Sequence, residues 1–489
     1  MMDNDLNLDL PTIKGRAVKG IVALSGRMAI VQFISFFGFF YLTVFLDRAE
    51  IGLFFAISEL VAILGYFSDV GLAAALIQKK ENPEIKDIRS TFTIQQILVV
   101  TLITIFFILT PWLKNFYQIS DNGIYLLWSL VLGFFMASLK TIPSVLLERK
   151  LRFDLLAVVE IVETFIFYGL AVFLAWRGMG ITSYAVAVVA RGIVGVIMIY
   201  LLSPWQIGFA LEFNSLKHLL KFGVPYQANT FLAVLKDRLM NVFLWKIIGA
   251  DGVGIIGWAQ KWAQTPLRLV MDSVMKVTFP AYSRMQDNKE ELKKAIEKTL
   301  FFVTLLVMPM FAGMVLLAKS IIFLIPKYGK WEIALLALYL LVFNSFFASI
   351  TTPLTNALSA IGKIKTVFKL MVMWTILTWI LYPILAVKYG YNGVALASAL
   401  VGVSSLIAVW IVKKNIDFSL WSSINMPVLA SVTMSLVILL LRPILSTNIF
   451  GLVALILISV FLYFGIIIVT VGPNFLLDVK KIFSSFKKP

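Results

Sequence analysis

The sequence predicts an all-α polytopic membrane protein with about fourteen transmembrane helices, arranged as two pseudo-symmetric six-helix lobes plus two C-terminal helices. Hydrophobic residues make up 60% of the 489 positions and charged residues only 14%, against about 25% charged residues in soluble domains. The apolar residues form continuous stretches that meet the roughly 20 residues needed for one helical crossing. Such stretches exclude a transmembrane β-barrel, whose strands alternate apolar and polar residues.

The fourteen apolar stretches follow one another along the chain with short polar loops between them. In order, they are 21–46, 51–77, 90–111, 124–147, 155–176, 180–202, 222–246, 252–280, 299–318, 332–359, 366–387, 391–412, 426–445 and 449–471. Because the loops are short, we expect no soluble domain between the spans.

The distribution of Lys and Arg predicts the orientation of the spans. With the N-terminus in the cytoplasm, the cytoplasmic segments hold 26 of these residues and the opposite side holds 9, among them Lys319, Lys388 and Arg442. Short cytoplasmic loops carry an excess of Lys and Arg, so both termini are expected in the cytoplasm. The formal net charge of +17 is then mainly a topology signal whose partners are anionic membrane lipids. No soluble surface collects these charges, and nucleic-acid binding is not expected.

An internal repeat predicts the domain organisation. A shift of 202 residues aligns the end of span 1 and start of span 2 with the corresponding part of spans 7 and 8, placing Gly52 on Gly254 and Glu59 on Lys261. Parallel repeats of this kind are common in transporters, with the substrate site between them. The expected domains are an N-terminal segment 1–20, a six-helix lobe 21–202, a linker 203–221, a six-helix lobe 222–412, helices 13–14 at 413–471 and a tail 472–489.

Charged residues inside the predicted spans indicate the candidate site, because charges at membrane depth are costly and usually face a cavity or a partner. Span 8 is the most informative, since four of its charged residues follow at steps of 7, 4 and 4 and so lie on one helical face. We expect a water-filled, cation-rich cavity between the lobes that attracts an anionic headgroup, with Arg suited to phosphate through its planar fork. The candidate cavity residues are Arg27, Lys140, Arg191, Lys236, Arg238, Lys261, Arg268 and Lys276.

Acidic residues in the same spans are candidates for coupling transport to H⁺ or Na⁺. They are Glu59, Asp69, Asp237 and Asp272. Structural ion pairing is the alternative, because Asp272 lies four residues from both Arg268 and Lys276 and Asp237 is flanked by two cations. For Glu160 and Glu163, near the cytoplasmic end of span 5, a structural role is expected.

Little enzymatic chemistry is open to this composition. The chain contains no Cys and one His, which removes most metal, haem, iron–sulfur and thiol chemistry. No phosphate-binding loop of the form G-x-x-x-x-G-K-[ST] occurs. We therefore expect no catalytic residue, no metal site and no cofactor apart from a coupling ion.

Two stretches carry a family resemblance. FSDVGLAAALIQKKE at 67–81 is similar to the end of span 2 in bacterial polysaccharide-biosynthesis flippases. The block 235–288 resembles their spans 7–8, with Asp-Arg at 237–238, a Gly-rich turn at 249–257 and Phe-Pro at 279–280 followed by Ser-Arg at 283–284. The chain thus resembles the oligosaccharide-lipid flippases of the multidrug/oligosaccharidyl-lipid/polysaccharide exporter superfamily.

The resemblance implies a V-shaped pair of lobes around a cationic cavity in the bacterial plasma membrane. It implies movement of an undecaprenyl-diphosphate-linked oligosaccharide from the inner to the outer leaflet, with a polysaccharide polymerase and glycosyltransferases as further partners. In the lipid II branch, arginines on spans 1, 2 and 8 line the cavity, and Arg27 and Arg268 occupy corresponding spans. Span 2 here has Glu59 and Asp69 but no Arg, which favours an O-unit, exopolysaccharide or teichuronic-type substrate. Spans 13–14 form an apolar groove for the lipid tail in that branch, and they carry no charge within the membrane here.

Three alternatives remain open at this point. A multidrug cation exporter of the same superfamily would need a net acidic chamber, whereas the second lobe has an excess of positive charge. A membrane glycosyltransferase or ligase would need larger outer loops than these. A scaffolding membrane protein would have no use for the buried charges.

Overall fold

The computed structural model describes residues 10–79, 81–212 and 234–472, and the side chains from residue 26 onward except at 235–237 and 272–273. Within these ranges the regular elements are all helices, as predicted. Residues 1–9 of the N-terminal segment, the linker beyond 212, the start of span 7 and the tail beyond 472 lie outside the described residues. The side chains of Lys236, Asp237 and Asp272 also lie outside them. Residues 10–20 of the N-terminal segment form the start of the first helix.

Fourteen α-helices make up the described chain. They are α1 Leu10–Phe45, α2 Arg48–Phe67, α3 Leu72–Gln78, α4 Ile85–Tyr117, α5 Asp121–Leu139, α6 Thr141–Arg149, α7 Phe153–Trp176, α8 Thr182–Leu202, α9 Met240–Arg284, α10 Lys289–Leu324, α11 Leu335–Ala360, α12 Ile364–Asn415, α13 Leu420–Leu445 and α14 Ile449–Val471. A π-helical turn, Val234–Leu239, precedes α9, and a 3₁₀ turn, Gly329–Ala334, precedes α11.

Twelve helical segments of the described chain are long and apolar enough to cross a membrane. Two helices each correspond to two predicted spans: α9, with 45 residues, and α12, with 52 residues. At 1.5 Å per residue, α12 would be about 78 Å long if straight, more than twice the roughly 30 Å hydrocarbon core. Gly390 (φ 58°) in α12 and Gly249 (φ 70°) in α9 break the helical backbone. These left-handed glycines reconcile twelve segments with about fourteen predicted spans.

The predicted span 51–77 is interrupted in the structure. The chain leaves α2 at Phe67, turns through Val70 (φ 48°) and Gly71 (φ 77°), and re-enters a helix at Leu72. The Asp69 carboxylate accepts hydrogen bonds from the Ala73 amide at 3.1 and 3.2 Å and so holds the turn. The apolar composition on both sides of the turn conceals this break from a hydropathy argument.

Arg149, at the end of α6, binds the C-terminal end of α3. Its guanidinium donates to the carbonyl oxygens of Leu76 and Lys79, both at 2.8 Å, and to those of Ile77 and Glu81. Carbonyl groups at a helix C-terminus lack intrahelical donors, and a basic side chain can satisfy them. Arg149 therefore has a structural role in addition to its contribution to the predicted topology signal.

Large apolar side chains cover the outside of the helices. Phe107, Ile108, Leu440 and Phe461 are between 66% and 75% exposed, and α14 contains no charged residue. Soluble proteins rarely expose contiguous apolar surface of this extent. The structure therefore supports a multi-pass membrane protein whose helices face lipid.

The chain divides into two compact units, Met1–Gly254 and Ile255–Pro489. In the first unit α7 packs on α1 and α8, and α5 packs on α2 and α8. In the second unit α11 packs on α10 and α12, and α13 packs on α10 and α14. The predicted linker lies partly outside the described residues, so the lobe boundaries at 203–221 stay a prediction.

Residues 203–212, the described part of that linker, run along the first turns of α4. The Ala210 amide donates to Thr93 Oγ1 and the Glu212 amide to Ser90 Oγ, both at 3.1 Å. Arg89 Nε donates to the Gln206 carbonyl at 3.3 Å. Polar side chains near the start of α4 thus satisfy backbone groups that no regular element pairs.

Candidate functional site

The first unit contains a cluster of three charges, Lys140, Glu163 and Arg191, in which the acid is buried. Glu163 on α7 accepts a hydrogen bond from Lys140 Nζ at 2.5 Å, and Arg191 Nε on α8 lies 3.5 Å from its other carboxylate oxygen. The Glu163 side chain is 5% exposed, whereas Arg191 is 45% exposed. Two predicted cavity cations are therefore joined to one acid, and the cluster keeps a formal charge of +1.

Gly195 makes room for this cluster. A Cβ atom at Gly195 would collide with the Glu163 carboxylate and lie 3.1 Å from Lys140 Nζ. Only glycine allows α8 to approach the buried acid this closely. Gly195 was not among the candidate residues, and a glycine inside an apolar run offers no signal of its partner.

Arg27 on α1 forms a second ion pair with α7. Its Nη1 donates to Glu160 Oε2 at 2.7 Å, with side chains 24% and 42% exposed. Glu160 and Glu163 lie three residues apart on one face of α7, so this helix presents two carboxylates to three cations. Sequence reasoning assigned both acids a structural role; their i, i+3 spacing in an apolar helix was the signal that could have linked them to the cations.

Glu59 and Arg238 form a third pair in the first unit. Arg238 Nη1, in the π-helical turn before α9, donates to Glu59 Oε2 on α2 at 3.0 Å. The side chains are 43% and 30% exposed for Arg238 and Glu59 respectively. A candidate coupling acid and a candidate cavity cation are thus bound to each other. Asp69, in contrast, makes no ion pair with any side chain the structure describes and accepts the backbone hydrogen bonds noted above.

The α2 and α9 helices cross at glycines. A Cβ at Gly52 would overlap the Ala250 carbonyl oxygen and lie 2.5 Å from the Gly254 amide, and a Cβ at Gly254 would overlap the Arg48 carbonyl oxygen. Arg48 Nε also pairs with Asp251 at 3.1 Å. The backbones therefore touch at Gly52 and Gly254, the positions that the 202-residue repeat places on each other.

The candidate cations of α9 in the second unit differ from those of the first unit in their hydrogen-bond partners. Arg268 is exposed, and its Nη2 donates to Gln264 Oε1, one turn earlier, at 3.0 Å. Among the side chains that the structure describes, Arg268 pairs with no acid. Lys261, two turns earlier on the same face, is half-buried, and its positive charge is repelled by that of Arg268. Lys276, two turns after Arg268, is exposed.

This arrangement can bind an anion. Within the described residues no group of three or more His, Cys, Asp or Glu side chains could hold a metal ion. Guanidinium and ammonium groups on one helical face present hydrogen-bond donors and positive charge, the combination that phosphate requires.

A family of polysaccharide biosynthesis proteins matches this chain over residues 42–332. Among curated proteins, the teichuronic acid biosynthesis protein TuaB of Bacillus subtilis (strain 168) is 20% identical over 76% of this chain and 77% of its own length. The lipopolysaccharide biosynthesis protein WzxC of Escherichia coli (strain K12) is 22% identical over 68% of this chain and 67% of its own.

Solved structures share the fold. The lipid II flippase MurJ in an inward closed conformation aligns with a TM-score of 0.73 and 18% identity, over 93% of this chain and 100% of the other. An inward-facing multidrug resistance transporter of the MATE family aligns with a TM-score of 0.58 and 18% identity, over 81% and 98%. These likenesses confirm the predicted fold class.

Proposed function

Because the chain belongs to the polysaccharide biosynthesis protein family, we propose that it moves lipid-linked oligosaccharide across the bacterial plasma membrane. The cargo in this proposal is an undecaprenyl-diphosphate-linked repeat unit, carried from the inner to the outer leaflet by alternating access. The two named relatives serve teichuronic acid and lipopolysaccharide biosynthesis. Their names refer to two different polymers, so what supports the proposal is the shared family rather than one sugar.

The main structural support for this proposal is the positive charge of Arg268 on α9. In the first unit, Arg27, Lys140, Arg191 and Arg238 are each bound to a carboxylate. Arg268 has only the neutral Gln264 as a hydrogen-bond partner among the described side chains. Its exposed guanidinium can therefore donate two hydrogen bonds to a diphosphate without breaking a pair with any acidic side chain that the structure describes.

Substitution of Arg268 in cells tests the proposed phosphate contact. We expect Arg268→Ala to abolish surface polysaccharide while the amount of protein in the membrane is unchanged. Arg268→Lys should restore export only in part, because Lys keeps the charge but loses the planar fork. Arg177→Ala is the matched control, since Arg177 is also exposed but lies over the Phe173 and Trp176 rings at the end of α7. Wild-type polysaccharide in the Arg268→Ala strain would remove Arg268 from the substrate site.

An ion gradient is the proposed energy source, and Glu59 is the favoured acid of the two candidates, Glu59 and Asp69, whose side chains the structure describes. Protonation or Na⁺ binding at Glu59 would weaken its ion pair with Arg238 and so free the Arg238 guanidinium to contact the cargo. Asp69 fits this role less well because its carboxylate holds the α2–α3 turn. We expect Glu59→Gln to make reconstituted transport insensitive to H⁺ and Na⁺ gradients. A wild-type rate that is unchanged when both gradients are collapsed would instead support a transporter driven by substrate supply.

A multidrug exporter would have the same fold, so the two functions are distinguished by the sign of the charges at the substrate site. A transporter of organic cations should present acids, whereas the described α9 candidates are cations. We expect deletion of the gene to leave susceptibility to cationic drugs unchanged while surface polysaccharide is lost. In this pathway glycosyltransferases would act before the proposed step and a polymerase after it.

A further inference from the structure

A pocket in the second unit lies between the C-terminal ends of α10 and α13. Its volume is about 520 Å³, within the range of about 300–1,000 Å³ typical of ligand sites. Two cations, Lys319 and Arg442, and three hydroxyl groups line it together with apolar side chains. The hydroxyl groups belong to Ser320, Ser446 and Thr447.

The Arg442 guanidinium is held in place by hydroxyl groups rather than by an acid. Its Nε donates to Ser320 Oγ at 3.0 Å, and Ser320 Oγ in turn donates to Ser446 Oγ at 3.2 Å. No described acidic side chain pairs with Arg442. Its two terminal nitrogens therefore remain available as donors to an anion in the pocket.

Lys319 adds a second, weakly neutralised charge. Its Nζ lies 3.9 Å from Glu332 Oε1, and both side chains are about half exposed. Exposed pairs at this distance contribute little to stability. Glu332 does not line the pocket, so the pocket itself carries two positive charges and no negative one.

Neither topology nor helix electrostatics explains the pocket. Cations near helix C-termini are favoured by the helix dipole, but that effect requires neither the Arg442–Ser320–Ser446 chain nor a cavity. Lys319 and Arg442 also belong to the 9 Lys and Arg residues predicted on the outer side, where the positive-inside rule disfavours them.

The rim of the pocket is apolar and faces outward. Phe323 and Leu439 line it and are 58% and 50% exposed, and the neighbouring Leu440 and Ile444 are 74% and 70% exposed. Fixed donors beside exposed apolar side chains match an amphiphile with an anionic head and acyl chains.

We propose that this pocket binds the phosphate of an anionic phospholipid on the predicted outer side of the membrane. The phosphate lies between Arg442 and Lys319, where the Ser446 hydroxyl can also donate to it, and the acyl chains follow Phe323 and Leu439. The bound lipid joins α10 to α13. This proposal does not depend on the transported cargo.

Native mass spectrometry of the purified full-length protein tests this site. The probes are phosphatidylglycerol, phosphatidylcholine with the same acyl chains, and inorganic phosphate. We expect wild-type protein to retain phosphatidylglycerol in preference to phosphatidylcholine, and Arg442→Gln to weaken that retention about tenfold, the effect of losing one charge-assisted interaction. Lys319→Gln, at an exposed position, provides a second variant and should also weaken retention.

Lys388→Gln is the matched control, because Lys388 is an exposed cation of the predicted outer side that does not line the pocket. It should retain phosphatidylglycerol as wild type does. Equal retention of both lipids, or unchanged retention in both pocket variants, would overturn the proposal. Displacement of phosphatidylglycerol by millimolar inorganic phosphate would also overturn it by making the pocket a site for a free anion.

Discussion

Glu163 binds two cations at once, with Lys140 Nζ at 2.5 Å and Arg191 Nε at 3.5 Å. Its carboxylate is almost inaccessible, so its charge is stable only while these partners remain in place. Spacing along a helix could suggest which acids share a face. It could not reveal pairs such as Glu59 with Arg238, which are separated by 179 residues and meet only through tertiary packing.

The burial of Glu163 predicts that its substitution destabilises the protein. Glu163→Gln should lower the free energy of unfolding by about 3 kcal/mol, the lower end of the cost of breaking a buried ion pair, because Arg191 is half exposed. Glu160→Gln is the matched control on the same helix, and its more exposed pair with Arg27 should contribute about 1 kcal/mol or less. Thermal unfolding in detergent, followed by intrinsic fluorescence, compares the two. Equal losses in both variants would contradict a dominant role for the buried cluster.

At the scale of helices, the lengths of the apolar stretches predicted the spans well because membrane crossing imposes a minimum length. The same argument could not place the turn at 68–71 or distinguish a loop between spans 11 and 12 from a kink at Gly390. Both features depend on one or two left-handed residues, and hydropathy averages over them. The repeat placed Gly52 on Gly254, but only the structure shows that the two glycines touch.

The close contact of α2 and α9 at Gly52 and Gly254 predicts that a larger side chain at Gly52 destabilises the protein. Gly52→Ala should separate α2 from α9 and lower the unfolding temperature, because the added methyl group overlaps the Ala250 carbonyl oxygen. Gly65→Ala on the same helix is the control, since nothing lies within 4 Å of its added Cβ and Ala is the better helix former. Should Gly52→Ala prove as stable as Gly65→Ala, the close backbone crossing would be refuted.

For the whole molecule, composition was sufficient to predict a multi-pass helical membrane protein, because lipid is the only solvent that accepts so much exposed apolar surface. The family resemblance extended that prediction to the fold shared with MurJ. The roles of individual cations could not be predicted, since several candidates proved to be bound by acids from distant helices. The orientation rests on charge bias alone and stays a prediction.

Cysteine labelling tests the orientation directly. The native chain contains no Cys, so a single introduced residue gives an unambiguous signal. Gln286→Cys, between α9 and α10, should react from the cytoplasmic side, and Asn122→Cys, at the start of α5, from the outer side. Both positions are exposed. Labelling of both from the same side would contradict the predicted topology.

Flipping of a fluorescent undecaprenyl-diphosphate-linked oligosaccharide in proteoliposomes tests the proposed function most directly. We expect wild-type protein to accelerate flipping above the rate of empty liposomes. Arg268→Ala should reduce that acceleration about tenfold or more, the effect of losing a charge-assisted hydrogen bond, while Arg177→Ala should leave it unchanged. Wild-type flipping no faster than in empty liposomes would contradict the assignment as a lipid-linked oligosaccharide flippase.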